Sequence, residues 1–197
     1  MAAERLTGIL LVGGASTRFG SPKALAEFGG ETLAARAWRT LGEACDELIA
    51  VGKRGDGLAL PFAITDDGSA VRAPIAGLVA GLAAAPTELC IVLPVDCPLV
   101  TPAALRALAD ACAGADAAVP QTGPLPGAYR KSALPALQRR FAAERLSLRD
   151  ALLELDTRTV ELDESLLVNV NTVDDLQCLL TVPGTCQARA RHSSAGE

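Results

Sequence analysis

The stretch LLVGGASTRFGSPKAL, residues 10–25, determines how the rest of the chain is interpreted. Its apolar run ends at Gly13-Gly14, and a short polar loop with Arg18 and Lys23 leads into a helix-like pattern. A short continuous apolar run that is stopped by glycines is typical of a strand buried on both faces. The stretch therefore predicts a buried strand over 7–12 that opens into a glycine-rich loop carrying two cations.

Strand-like and helix-like segments alternate along the rest of the chain. Further strands are predicted at 46–51, 62–64, 88–95, 115–119 and 160–162, and helices from 32 onward and at 74–84, 101–112, 132–143, 147–154 and 172–180. This alternation predicts parallel crossovers and a sheet covered by helices, which is an α/β fold. In such sheets ligands bind beyond the carboxyl ends of the strands, so the loops after Val12 and Val95 should open at the same edge.

Composition limits the possible function classes. The 197 residues carry a formal net charge of −5, which argues against a nucleic-acid or anionic-membrane surface. No apolar stretch is long enough for a membrane span, and no signal peptide is recognisable, so we expect a cytoplasmic protein. We expect a single domain over 1–181, followed by a disordered tail over 182–197 that lacks apolar periodicity.

The six cysteines do not indicate a metal site. They form no C-x-x-C pair, and the single histidine, His192, lies in the tail. A zinc site requires clustered cysteine and histidine ligands, so the pattern favours small buried side chains in a reducing compartment.

The loop after Gly13-Gly14 has two interpretations. It could be a phosphate cradle, in which backbone N–H groups converge on an anion while Arg18 and Lys23 supply full charges. Alternatively, the glycines only turn the chain and both cations are solvated. Two cations in so short a loop after a strand favour the cradle. The loop is neither a Walker A loop nor a G-x-G-x-x-G dinucleotide loop, because the glycine spacing and Ala24 fit neither pattern.

Five motifs, in order, resemble those of the MobA-like nucleotidyltransferases, the family that includes molybdenum cofactor guanylyltransferase. The opening loop is similar to their signature, L-x-G-G-x-S-x-R-x-G-x-x-K. The other matches are Pro94–Leu99, similar to a magnesium-binding segment; Asp66 with Pro74–Gly77, similar to a second acidic site; and Leu125–Arg130 and Asn169–Thr172, similar to segments near the acceptor.

The resemblance implies a three-layer, Rossmann-like nucleotidyltransferase fold with a mostly parallel central sheet. It also implies an enzyme that moves GMP from GTP-Mg²⁺ to the phosphate of molybdenum-bound molybdopterin. GTP and the molybdopterin cofactor would be its substrates and Mg²⁺ its cofactor. Molybdoenzymes or cofactor-insertion proteins are the protein partners that it suggests.

The same resemblance assigns roles to individual residues. Lys23 and Arg18 would hold the triphosphate and Asp96 would ligate Mg²⁺, so these three form the expected catalytic set. Nucleotide binding is assigned to Leu11, Val12, Gly13, Gly14, Ser16, Arg18, Lys23, Asp66 and Asp96. Acceptor binding is assigned to Arg130, Asn169 and Asn171, with Arg149 as a further candidate.

Several of these residues also have a purely structural interpretation. Asp96 could cap the turn before Cys97-Pro98, Asp66 lies in the turn sequence Asp66-Asp67-Gly68, and Asn171 could precede a helix cap. At the position near the nucleobase where related guanylyltransferases often have an asparagine, this chain has Gly-Lys-Arg at 52–54. The choice of nucleotide therefore stays open between GTP and CTP, and a non-catalytic nucleotide-binding domain stays a third alternative.

Overall fold

The computed structural model describes residues 4–13, 19 and 22–181. Among these residues the strands are β1 Leu6–Leu11, β2 Glu27–Phe28, β3 Glu31–Thr32, β4 Glu47–Gly52, β5 Ile64–Asp66, β6 Leu89–Pro94, β7 Ala117–Pro120, β8 Gly127–Arg130 and β9 Thr157–Val160. The α-helices are α1 Leu33–Ala44, α2 Pro74–Ala84, α3 Pro102–Ala111, α4 Leu134–Ala142, α5 Leu148–Ala151 and α6 Val173–Thr181. Gly14, Ser16, Arg18 and the predicted tail over 182–197 lie outside the described residues.

Seven strands form the central sheet in the order β5-β4-β1-β6-β8-β7-β9. Strand β1 pairs in parallel with β4 on one side and with β6 on the other, and β5 continues the parallel pairing beyond β4. Strand β8 runs antiparallel to both β6 and β7, and β9 is parallel to β7. The predicted mostly parallel sheet is confirmed, and β8 is its antiparallel exception.

Helices cover both faces of this sheet, as predicted. Leu10 of β1 belongs to one buried cluster together with residues of α1 and α3, whereas Ile9 and Leu11 belong to a second cluster with residues of α2 and α4. Side chains of a strand alternate between the two faces, so β1 is buried on both sides and its residues 8–11 are all apolar. Thr7, the polar residue of β1, is buried with its hydroxyl 2.7 Å from that of Thr87.

Local signals set most of the helix ends. The side chains of Thr32 and Thr101 accept hydrogen bonds from the backbone N–H groups of Ala35 and Ala104, each at 3.2 Å, and so cap α1 and α3. Helix α2 begins at Pro74, as the proline predicts. Thr172 and Asp175 form a capping box before α6, with nitrogen-to-oxygen distances of 2.8 and 3.1 Å.

Some predicted boundaries were wrong. The strand expected at 62–64 forms at Ile64–Asp66, and the one expected at 160–162 forms at Thr157–Val160. Both are edge strands whose extent is set by pairing with one neighbour, for example Gly52 opposite Asp66. The helix expected over 147–154 is a single α-helical turn followed by a 3₁₀ turn, and the β2–β3 hairpin was not predicted.

Among the described residues, no helix is both long and apolar enough to cross a membrane.

The close approach of α2 to β1 leads to a stability prediction. A Cβ built on Gly81 would lie 2.6 Å from Ile9 Cγ2, whereas one built on the exposed Gly42 of α1 would meet its nearest neighbour, Leu48 Cδ1, at 3.6 Å. We expect Gly81→Ala to destabilise the fold by about 1–3 kcal/mol through overpacking. We expect Gly42→Ala to be neutral or to stabilise it by up to about 1 kcal/mol, because alanine favours the helix.

Urea unfolding of both variants checks this pair. If Gly81→Ala matched the wild-type free energy of unfolding, helix α2 would have to be free to move away from β1.

Candidate active site

A cavity of about 530 Å³ lies at the carboxyl ends of β1, β4 and β6. Residues of all three strand ends line it, including Gly13 after β1, Gly52 at the end of β4 and Asp96 after β6. Its size is that of a small-molecule site. The position agrees with the expectation that the loops after β1 and β6 open at one edge of the sheet.

Lys23 and Asp96 meet in this cavity although they lie 73 residues apart in sequence. Lys23 Nζ is 3.4 Å from Asp96 Oδ2 and donates to Asn171 Oδ1 at 3.3 Å. The side chains of Lys23 and Asp96 are 15% and 27% exposed, so both keep access to the cavity while most of their surface is shielded. An ammonium and a carboxylate held this way can bind an anion and a cation side by side.

Backbone and side-chain hydrogen bonds fix Asp96 and the segment that faces it. The Val95 N–H donates to Leu11 O at 3.3 Å, and the Val170 N–H donates to Asp96 O at 2.8 Å. The Cys97 thiol donates to Asn169 Oδ1 at 3.0 Å. These bonds bring Asn169, which lines the cavity, to the residue beside Asp96.

The Cys97 thiol is a site residue that the sequence did not single out. Burial, together with the nearby Asp96 carboxylate, raises the pKa of this thiol well above its ordinary value. It therefore remains protonated at neutral pH and keeps the hydrogen that it donates to Asn169.

One arm of the cavity lies beyond β4. It is lined by Gly52, Lys53, Asp67, Arg72 and Ala73, at the end of β4 and in the loop before α2. In the sequence, Gly52 and Lys53 were noted for a departure from the family pattern near the base, and none of the five residues was assigned a binding role. The rule that ligands bind at the carboxyl ends of strands would have pointed to them, because they follow β4 and β5.

Asp66 is oriented differently from Asp67. Its carboxylate accepts hydrogen bonds from the backbone N–H groups of Gly68 and Arg54, at 2.8 and 2.9 Å, and these bonds lower the pKa of the carboxyl group. The neighbouring Asp67 lines the cavity and pairs with Lys53. Asp66 thus makes the turn contacts that its sequence also predicted, and its contact with a nucleotide stays a prediction.

The opposite arm of the cavity is formed by 122–125 with Arg149, Leu167 and Asn169. Arg149 donates to Thr122 O at 3.2 Å, and within the described part of the chain it forms no ion pair. Its positive charge is therefore available to a ligand in this arm.

Arg130 lies at the wrong edge of the sheet for the acceptor role assigned to it. Because β8 is antiparallel to β6, Arg130 is placed opposite Leu89, at the amino end of β6, whereas Asp96 follows the carboxyl end. There it forms a bidentate ion pair with Glu4, both distances being 2.7 Å. The structure therefore does not support contact between Arg130 and a ligand in the cavity.

Asp96 is the residue of this cavity best suited to hold a metal ion. Across residues 4–13, 19 and 22–181, no group of three or more histidine, cysteine, aspartate or glutamate side chains could hold one. A hard cation that keeps its waters needs only one or two protein carboxylates when a ligand supplies phosphate oxygens. A single carboxylate beside the ammonium of Lys23 fits that arrangement.

The burial of Cys97 leads to a reactivity prediction. Only the thiolate reacts with iodoacetamide, and a raised pKa keeps its fraction small until the pH is far above the ordinary thiol pKa. In the folded protein at pH 8 we expect Cys97 to be modified at least about tenfold more slowly than in urea. We also expect it to react more slowly than the half-buried Cys178 of α6.

Mass spectrometry of the two cysteine peptides over a pH series provides the test. Equal modification of Cys97 in folded and urea-unfolded protein would show that its thiol is accessible and has an ordinary pKa.

Comparison with known proteins agrees with this geometry. The chain matches the MobA-like NTP transferase domain over residues 8–159. It is 32% identical to a probable molybdenum cofactor guanylyltransferase of Chloroflexus aggregans, covering 91% of this chain and 96% of that protein. It is also 32% identical to a protein with the same description in Pelotomaculum thermopropionicum, covering 86% and 89% respectively. The crystal structure of molybdopterin-guanine dinucleotide biosynthesis protein A from Archaeoglobus fulgidus has the same fold, with a TM-score of 0.75 at 24% identity over 87% of this chain and 95% of that one. The chain belongs to the MobA-like NTP transferase family, a family of nucleotidyltransferases.

Proposed function

We propose that this enzyme transfers GMP from GTP to the phosphate of molybdenum-bound molybdopterin, giving the guanine dinucleotide cofactor and pyrophosphate. The observation that carries the proposal is the 3.4 Å approach of Lys23 Nζ to Asp96 Oδ2 inside the cavity at the strand ends. The two relatives at 32% identity, both described as probable molybdenum cofactor guanylyltransferases, support the choice of donor and acceptor.

The reaction exchanges one phosphorus–oxygen bond for another. An oxygen of the acceptor phosphate attacks the α-phosphorus of GTP, and the bond from that phosphorus to the oxygen bridging the α- and β-phosphates breaks. The electron pair leaves with pyrophosphate. A phosphate monoester is largely ionised at pH 7, so the attacking oxygen needs no general base. The protein has to position two anions and offset their mutual repulsion.

Lys23 is placed to offset that repulsion. Its ammonium would contact the polyphosphate and stabilise the negative charge that develops on the departing pyrophosphate. Arg18 would add a second, bidentate contact from the same loop. The 3.4 Å contact with Asp96 and the 3.3 Å contact with Asn171 hold the Lys23 ammonium in the cavity.

Asp96 would hold a divalent cation, Mg²⁺ in this proposal, together with phosphate oxygens and water. When bound, the ion neutralises phosphate charge and polarises the reacting phosphorus–oxygen bonds. The carboxylate fits this task because its cavity location and 27% exposure leave room for oxygen ligands from the nucleotide.

The acceptor would occupy the arm that contains Arg149 and Asn169. Arg149 keeps its charge for a phosphate, and Asn169 and Asn171 offer amide groups for the edge of a pterin ring. Molybdoenzymes or cofactor-insertion proteins would receive the product.

Removing either charge of the central pair should slow the reaction. We expect Lys23→Ala and Asp96→Asn each to lower kcat on the order of 10²–10³-fold, because preorganised charges at the reacting phosphates are lost. Arg5→Ala is the matched control, since Arg5 is an exposed cation at the other end of β1. Release of pyrophosphate with GTP, Mg²⁺ and molybdenum cofactor is the measurement.

Wild-type kcat in both site variants would leave a non-catalytic role for the cavity as the better interpretation.

The identity of the nucleobase is tested by supplying each labelled nucleotide in a separate incubation. Incubation of the enzyme with molybdenum cofactor, Mg²⁺ and [α-³²P]GTP or [α-³²P]CTP should give labelled dinucleotide with GTP, and EDTA should abolish product formation. Exclusive incorporation of CMP would overturn the guanylyl assignment in favour of a cytidylyltransferase that acts on the same acceptor.

A further inference from the structure

Lys53 is a largely shielded lysine directly after β4, and the hydrogen bonds of its ammonium all go to one loop. Its Nζ donates to Asp67 Oδ1 at 2.6 Å, to Ser69 O at 2.5 Å and to Val71 O at 2.7 Å. The side chains of Lys53 and Asp67 are 12% and 6% exposed. An ammonium has three donors, and here each of them has a protein acceptor, so Lys53 has none left for a ligand.

The residues that accept these bonds belong to the segment 67–72, called the 67–72 loop below. Within it, the Ser69 N–H donates to Asp67 Oδ1 and the Val71 N–H donates to Ser69 Oγ, each at 3.0 Å. The Asp67 N–H donates to Gly52 O at 3.0 Å, which ties the start of the loop to β4. Lys53 thus connects the start, middle and end of the loop through a single nitrogen atom.

The 67–72 loop forms one wall of the active-site cavity. Asp67 and Arg72 line the cavity, and Ala73 and Pro74, which continue the chain into α2, line it as well. The shape of this arm is therefore set by the conformation of a short irregular segment. Since such segments have few apolar contacts of their own, Lys53 supplies the fixed points that a helix or strand would otherwise provide.

The charges of this arm are neutralised by neighbouring side chains. Asp67 pairs with Lys53, and Asp56 pairs with Arg72, with an Nη1 to Oδ2 distance of 3.2 Å. The opposite arm contains Arg149, which forms no ion pair within the described residues. A nucleotide whose phosphates lie at Lys23 would place its uncharged base most favourably in the neutral arm, leaving the charged arm for the acceptor phosphate.

We propose that Lys53 is a positioning residue that holds the 67–72 loop as the wall against which the nucleobase packs, and that it thereby sets the selectivity between purine and pyrimidine nucleotides. This inference rests on the proposed nucleotidyl transfer. Lys53 acts through the loop and touches no reacting atom.

The test compares Lys53→Met, Asp67→Leu and the double variant with the wild-type enzyme. Lys53→Met keeps the side-chain length but leaves the Asp67 carboxylate buried without its cation, which destabilises the fold. The double variant removes both charges, and replacing both partners by apolar groups restores much of the lost stability. Arg5→Met is the control, because it removes an exposed ion pair with Glu47. That pair lies at the amino ends of β1 and β4, whereas the cavity lies at their carboxyl ends.

Two measurements separate positioning from folding. Hydrogen exchange of the amides of the 67–72 loop, without nucleotide, should be at least about tenfold faster in Lys53→Met and in the double variant than in the wild type. Steady-state kinetics should show KM for GTP raised about tenfold or more with kcat within about threefold of wild type. The ratio of kcat/KM for GTP to that for CTP should fall about tenfold or more in both variants, because a mobile wall discriminates poorly between bases.

The double variant distinguishes the alternatives. Recovery of wild-type KM and base selectivity together with the recovered thermal stability would overturn the proposal, since Lys53 would then only stabilise the fold. Equal losses in kcat for both nucleotides with unchanged loop exchange would overturn it as well. If the wild-type enzyme transfers neither nucleotide, the proposed function fails, and the exchange measurement still decides whether Lys53 orders the loop.

Discussion

The parallel pairing of β1 with β6 is the constraint on which the site depends. Leu11 lies opposite Pro94, so the chain leaves both strands at the same edge of the sheet and in the same direction. The two loops that follow must then share one space, and Lys23 and Asp96 meet there at 3.4 Å. Burial of β1 on both faces fixes this register, because a slip by one residue would exchange the side chains between the two apolar clusters. The packing of β1 against the apolar clusters on both of its faces therefore fixes where Lys23 and Asp96 lie.

Local charge, rather than the field of the whole molecule, gives this acidic chain its proposed affinity for polyphosphate. The net charge of −5 would repel an anion at long range. At the site, the side chain of Lys23 is 15% exposed, so its charge is less screened than that of a surface lysine. Lys53 and Arg72, the two cations that line the arm of the cavity beyond β4, are each paired with a carboxylate, whereas Arg149 in the opposite arm forms no ion pair within the described residues. This distribution favours the uncharged base in the arm beyond β4 and the charged acceptor in the arm that contains Arg149.

The sequence predicted those features that depend on neighbouring residues. The apolar run of β1 and the proline at the start of α2 both act within a few positions, and the structure has them where they were expected. The shared edge of β1 and β6 followed from a rule about parallel sheets. The antiparallel direction of β8 did not follow, because pairing over long sequence separations leaves no local trace. The acceptor role of Arg130 came from the family resemblance alone, and the direction of β8 places this residue at the amino end of β6.

The choice between Asp66 and Asp67 shows the same limit at the scale of one residue. Both are acidic and both lie in a good turn sequence, and the family resemblance assigned Asp66 to the nucleotide, whereas Asp67 is the residue that lines the cavity. The structure turns Asp66 toward the backbone N–H groups of Arg54 and Gly68 and leaves Asp67 for the Lys53 ammonium. That outcome depends on where the end of β4 lies, which is a tertiary contact. Lys53 was likewise noted in the sequence only as a departure from a family pattern, and its three acceptors appear only in the folded chain.

The two halves of the proposed nucleotide site are joined by a contact that excludes side chains. The Val12 N–H donates to Val51 O at 2.9 Å, and the next residue on each strand is a glycine. A Cβ built on Gly52 would lie 2.7 Å from Val12 Cγ2 and 3.5 Å from Gly13 N, so a larger residue at position 52 would push the two strand ends apart. Gly52 O also accepts a hydrogen bond from the Asp67 N–H. The same backbone segment therefore contacts both the start of the loop that follows β1 and the start of the 67–72 loop. The 67–72 loop and the loop that follows β1 are therefore anchored to one backbone segment, and the loss of the Lys53 contacts leaves that segment's own hydrogen bonds in place. A looser 67–72 loop would then weaken binding of the base, and so raise KM, without displacing the phosphates at Lys23.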